Sequence, residues 1–328
     1  MTPLEFRLLN DFQRRFPLVP QPYAVLAETL GVSEQDVIAT LARLQADGAV
    51  SRVGAIFRPG AVGASTLAAM AVPPERLAEV ARLVSSCREV NHNYEREHRY
   101  NLWFVAAAPD EQRLAATLER IVGAARIEVL SLPLVEEYHI DLGFPLGAPG
   151  AREARGPRAP ERASLDPAGR RLVAALEYGL PLISRPYAAV AARAGCEERA
   201  AIERLAAWQA EGLIRRLGVI VRHHELGYRA NAMAVWDVPD ASAPEFGRAL
   251  AASDGVTLAY RRARHLPQWP YNLYCMIHGT DRGRVLERLA ALGPGLGLDG
   301  FPHEVLFSRT RFKQTGARVA SLAEPAHG

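Results

Sequence analysis

Apolar residues recur at helical spacing through Leu4 to Phe12 and again through Tyr23 to Leu30. A third helix is expected after Gly31, with Ser33 as its N-cap and Gly48 as its end. A short strand pair over Ala49 to Phe57 would complete a winged helix-turn-helix. Beyond it the pattern predicts strand (Ser65 to Val72), helix (Pro74 to Ser85), strand (Glu89 to Glu97), strand (Tyr100 to Ala107), helix (Glu111 to Gly123) and strand (Ile127 to Leu132). Glu136 to Ile140 is read as an added edge strand. The order βαββαβ predicts a ferredoxin-like unit with its helices on one sheet face. The other face has no helix of its own, so another module or a ligand must cover it.

The whole pattern occurs twice. Phe16 to Gly60 runs parallel to Leu180 to His224 at an offset of 164, placing Pro22 and Tyr23 on Pro186 and Tyr187, and Arg52 and Gly54 on Arg216 and Gly218. Further on, VNHNYER (Val90 to Arg96) matches VTLAYRR (Val256 to Arg262), and YNLWF (from Tyr100) matches YNLYC (from Tyr271) after an insertion. The fold class is therefore α+β, a tandem repeat of winged helix-turn-helix plus ferredoxin-like domain. The expected boundaries are 1–60 and 61–146 for the first copy, 147–167 for a Gly-, Pro-, Ala- and Arg-rich linker, and 168–224 and 225–328 for the second copy.

Composition narrows the function class. Hydrophobic content of 49% with 23% charged residues is ordinary for a globular chain, and no apolar run is long enough for a spanning helix. No signal-peptide pattern opens the chain, so a cytoplasmic location is expected, with no membrane partner. Three scattered cysteines give no metal-ligand spacing, and no metal site is expected. Net charge is +3, and all but one of the basic residues are Arg, the exception being Lys313. Charge argues against DNA as a partner. The stretch 21–48 carries one basic and four acidic residues, and 186–212 carries three and four, which repels a phosphate backbone.

Candidate chemistry concentrates in the first copy. On an extended strand His92, Tyr94, Arg96 and His98 would project from one face, with Tyr100 opening the next strand. Such a row suits an anionic, aromatic ligand better than a structural core. The second copy keeps Tyr260, Arg262 and Tyr271 but has Leu258 where the first has His92. Its wing reads Arg222, His223, His224 against Arg58, Pro59, Gly60, and its inserted loop supplies His265 and Trp269.

HNYEREHRYNLWF in the first copy, with RRLGVIVRHHELGYRANAMAVW and YRRARHLPQWPYNLYCMIHG in the second, resembles the two subunit types of the siroheme decarboxylases. These are Lrp/AsnC-like enzymes of haem d1 biosynthesis in denitrification, and the resemblance extends over nearly the whole chain. It implies a lyase that removes carbon dioxide from the acetates at C12 and C18 of siroheme, leaving 12,18-didecarboxysiroheme. It further implies no cofactor beyond the iron of the substrate itself, and association as a homodimer or with related Lrp/AsnC-like subunits. On that reading His92 and His98 position or protonate the reacting acetate, and His223 is a second candidate acid or iron ligand. Arg58, Arg96, Arg222 and Arg262 hold carboxylates, while Tyr94, Tyr100, Tyr260, His265 and Tyr271 line the macrocycle. Two alternatives share the same fold: an Lrp/AsnC-type transcriptional regulator and a noncatalytic tetrapyrrole-binding subunit.

Overall fold

A computed structural model describes residues 1–140, 161–222, 228 and 230–319. The first copy opens with α1 (Pro3–Asp11), α2 (Pro22–Leu30) and α3 (Glu34–Ala46). Thr2 with Glu5 and Ser33 with Asp36 form capping boxes, so both helix starts have their free N–H groups met by side chains. Gly31 closes α2 in the left-handed region at φ 70°, which glycine adopts without steric cost. The expected wing hairpin does not form. Val50–Phe57 is one strand, β1, and it pairs antiparallel with Ile214–Val221, the equivalent strand of the second copy, with Gly54 opposite Gly218. Eight residues are too few to turn back and pair over any length, whereas two copies supply one strand each. The helices α6 (Pro167–Leu176), α7 (Pro186–Ala194) and α8 (Glu198–Ala210) complete the second unit. One apolar core spans both copies, and two reciprocal bonds tie them: the Tyr23 hydroxyl to Pro181 O (3.2 Å) and the Tyr187 hydroxyl to Pro17 O (2.8 Å).

The second layer contains β2 (Ala64–Met70), α4 (Leu77–Ser86), β3 (Val90–Arg96), β4 (Leu102–Ala108), α5 (Glu111–Ala125) and β5 (Leu130–Ile140) from the first copy. The second copy supplies β7 (Ala230–Trp236), α9 (Ala243–Ala252), β8 (Val256–Arg262), β9 (Leu273–Gly279), α10 (Arg282–Leu296) and β10 (His303–Gln314). The strand before it in the chain, Ile214–Val221, is β6. Glu136 to Ile140 is the second half of β5 rather than a separate edge strand. The first half of β5 pairs with β2 and the second half with β8 of the other copy. In the same way β10 pairs with β7 and then with β3. The two sheets thus close into one barrel in the order β10-β3-β4-β2-β5-β8-β9-β7.

Closure answers the question of what covers the helix-free faces: each covers the other. Leu67, Trp103, Leu132, Met233, Tyr274 and Leu306 pack together inside the barrel, while separate cores lie under the helices of each copy. The barrel interior therefore gives no reason for a second chain to associate. Among the described residues no helix is long and apolar enough to cross a membrane.

Candidate functional site

Strand β3 places its side chains on two surfaces. Asn93 is fully buried toward α4, where its amide donates to Ala81 O (3.1 Å) and Ser85 Oγ (3.0 Å). The neighbours on the opposite face are His92 and Tyr94, whose rings stack at 6.3 Å, and Arg96. Arg96 is buried, and its Nη1 donates to Leu306 O at 3.0 Å.

Further arginines converge on this face from other elements. Arg52, on β1, lowers the proton affinity of His92 second only to burial, and together they bring the imidazole pKa to about 4. The ring is therefore neutral at pH 7. Asn91 Oδ1 lies 2.9 Å from its Nδ1, so Nδ1 carries the hydrogen and Nε2 is left as an acceptor. Around Tyr94 the charges are Arg96, Arg311 and Arg222; burial is the larger influence and raises the phenol pKa. Arg311 stands opposite Tyr94 on β10, and Arg222 follows the last residue of β6. Burial lowers both Arg52 and Arg96 to about 10.

This mouth, between the paired β1–β6 ribbon and the barrel, is rich in cations. None of the influences on His92, Tyr94, Arg52 or Arg96 comes from an acidic side chain among the described residues. The Nε atoms of Arg52, Arg96 and Arg222 are buried without a hydrogen-bond partner among those residues. Buried guanidinium groups of this kind are costly unless an anion meets them, and carboxylates match their planar fork.

The other residues singled out from sequence lie elsewhere. His98 is in the turn after β3, where its Nδ1 accepts from Tyr100 N (2.9 Å) and its ring packs edge-on against Trp269 at 5.5 Å. Burial is the main influence lowering its pKa. Tyr100, Tyr271 and Trp103 pack on the same Trp269, and His265 pairs with Trp269 through the backbone. This aromatic cluster is at the far end of β3 from His92. The expectation that His98 shares a face with His92 fails because the strand ends at Arg96. Tyr260 and Arg262 occupy the repeat-equivalent positions inside the barrel, with the guanidinium 4.8 Å over the phenol ring and Nη1 donating to Leu132 O (2.8 Å). Arg58 is buried and donates to Glu161 O at 3.0 Å. His223 lies outside the described residues. Sequence reasoning missed Arg52 and Arg311 as site residues. Arg52 had a visible signal, since it recurs as Arg216 in the repeat.

The fold and its mouth define a class: a duplicated α+β protein with an arginine-rich site on its closed barrel. The family model described as AsnC-like ligand binding domain matches residues 61–139 and 225–313, and that described as Siroheme decarboxylase NirDL-like HTH domain matches 5–50 and 169–215. The siroheme decarboxylase NirDL subunit of Paracoccus denitrificans (strain Pd 1222) is 45% identical over 98% of this chain and 99% of its own length. A crystal structure of the siroheme decarboxylase NirDL superposes with a TM-score of 0.68 at 29% identity, covering 97% of this chain and 94% of that one. A second, of NirDL in co-complex with an iron-uroporphyrin III analogue, gives 0.65 at 27% identity, covering 96% and 93%. The chain belongs to the siroheme decarboxylase NirDL family.

Proposed function

We infer that this protein is a siroheme decarboxylase, a carbon-carbon lyase that removes carbon dioxide from the C12 and C18 acetates of siroheme to give 12,18-didecarboxysiroheme in haem d1 biosynthesis. The observation that carries the reading is the arginine-rich mouth around His92 and Tyr94, in a chain 45% identical to a siroheme decarboxylase subunit over nearly its full length. Arg52, Arg96, Arg222 and Arg311 hold the carboxylates that ring the macrocycle, which fixes its orientation and leaves one acetate at the reacting position. The ring of Tyr94 offers an aromatic face against the tetrapyrrole.

Loss of carbon dioxide leaves an electron pair on the methylene carbon, and the conjugated macrocycle delocalises it. A proton must then reach that carbon. Burial and Arg52 keep His92 neutral, but carboxylates brought beside it oppose the charge of Arg52 and raise the affinity of Nε2 for a proton. His92 thereby becomes the acid when substrate is present, and the phenol of Tyr94 stays protonated at neutral pH as a neighbouring donor. The reading needs no cofactor beyond the iron-containing substrate. Association, as a homodimer or with related Lrp/AsnC-like subunits, would use surfaces outside the barrel, and we place the reaction in the cytoplasm.

The test is anaerobic incubation of the purified chain with siroheme and mass spectrometry of the extracted tetrapyrrole. Loss of the mass of two carbon dioxides supports the reading. A macrocycle retained unchanged favours a noncatalytic tetrapyrrole-binding subunit, and salt-sensitive binding to promoter DNA favours a regulator.

A further inference from the structure

The barrel has two mouths related by the repeat, and their ladders match residue for residue. On one side Arg311 stands opposite Tyr94 and Gln314 opposite His92. On the other Glu137 stands opposite Tyr260 and Ile140 opposite Leu258. Even the irregularities coincide, since both ladders slip on either side of Arg311 and of Glu137. Arg96 and Arg262 are likewise equivalent: each donates to the facing carbonyl, Leu306 O or Leu132 O, and each keeps a buried Nε without a partner among the described residues. The scaffold could thus have carried the same site twice.

The second mouth differs in its histidine and in its charges. Leu258 replaces His92. Glu137 replaces Arg311, and its buried carboxylate is held 2.6 Å from Arg215 Nη2. Arg58, the repeat equivalent of Arg222, donates to Glu161 O and lies 4.0 Å from the Glu161 carboxylate. Where Arg311 stands opposite Tyr94 on one side, a carboxylate that already has its cation from the chain stands opposite Tyr260 on the other. A buried, ion-paired carboxylate beside Tyr260 also repels any incoming carboxylate.

We propose that Glu137 closes the second mouth to polycarboxylate macrocycles, leaving one macrocycle site per chain, at the His92 mouth. It is an internal counterpart of a substrate carboxylate, held on Arg215. The proposal rests on the reading of the His92 mouth as a tetrapyrrole site, and one titration separates the two.

The full chain is titrated with iron-uroporphyrin III, following its visible absorption band. Saturation at one equivalent per chain, lost on R52A, is the expected result. Saturation at two equivalents overturns the role of Glu137 while leaving the functional reading intact, and no binding at all overturns that reading itself. In E137Q a second, at least tenfold weaker, equivalent is expected, with turnover at the first site unchanged. Because a lone change can leave Arg215 buried without its partner, the paired variant E137L/R215M, which removes both charges, is titrated alongside. A folded paired variant that still saturates at one equivalent contradicts the proposal.

Discussion

Arg52 ties the helical layer to the chemistry of the mouth. Its guanidinium is confined: a Cβ on Gly316 would sit 2.9 Å from its Cζ, and one on Gly179 would sit 3.1 Å from its Cβ. Replacing Arg52 with Gln should raise the imidazole pKa of His92 above about 4, because the like charge that opposes protonation is gone. An NMR titration of the ring carbon protons reads this directly. Burial, the larger cause, remains, so the value should stay below the ordinary 6.5. His92 also sets a pH dependence of stability. Its folded pKa is depressed, so between about 6.5 and about 4 the unfolded chain binds more protons than the folded one. Stability therefore falls as pH drops through that window, by up to about 3 kcal/mol at roughly 1.4 kcal/mol per pKa unit. Urea midpoints at pH 7 and pH 4.5 should differ less for His92→Gln than for the parent chain. At this scale the sequence was half legible. Its strand periodicity put His92, Tyr94 and Arg96 on one face, but Arg52 and Arg311 come from strands distant in the chain, and only tertiary pairing brings them there.

Among the elements, helices were the most legible. Local signals such as Ser33 and Gly31 fix helix ends within a few residues, and the structure starts α3 at Glu34 and ends it at Ala46. Strand partners were not legible, because pairing is nonlocal: β1 was expected in a hairpin and is found against β6, and β5 was expected in two pieces and is one strand shared by both sheets. Glycines at close approaches hold these unforeseen pairings. A Cβ added to Gly218, on β6, would fall 2.4 Å from Gln13 O and 2.5 Å from Phe12 O, both rigid backbone atoms. The segment is fixed there by the bond from Val219 N to Phe12 O at 2.8 Å. Gly218→Ala should therefore cost about 2 kcal/mol or more through overpacking and lower the thermal midpoint by several degrees. Thermal unfolding followed by circular dichroism checks it, and an unchanged midpoint would mean that the ribbon yields freely.

For the whole molecule, duplication explains the design. The repeat was read correctly from sequence, including the offset that aligns Arg52 with Arg216, but sequence gave no sign that the copies pair strand to strand instead of standing side by side. Four ladders cross the copies or complete the closure: β1 with β6, β5 with β8, and both halves of β10. A protease site introduced between Gly147 and Pro167 and then cut should leave the two pieces together at the size of the intact chain in gel filtration. Separation of the pieces would show that the barrel depends on the covalent link. The same duplication left one mouth cationic with a histidine and gave the other Leu258 and the Glu137–Arg215 pair.

We place decarboxylation at the arginine mouth around His92 and not at the aromatic end of the barrel around His98. The direct measurement is the rate of carbon dioxide loss from siroheme by His92→Ala and by His98→Ala, each compared with the parent chain under anaerobic conditions. A drop of about 10²-fold or more is expected for His92→Ala, the scale of a lost general acid, with near-parental turnover for His98→Ala. Parental turnover of His92→Ala, with His98→Ala inactive yet folded, would contradict it.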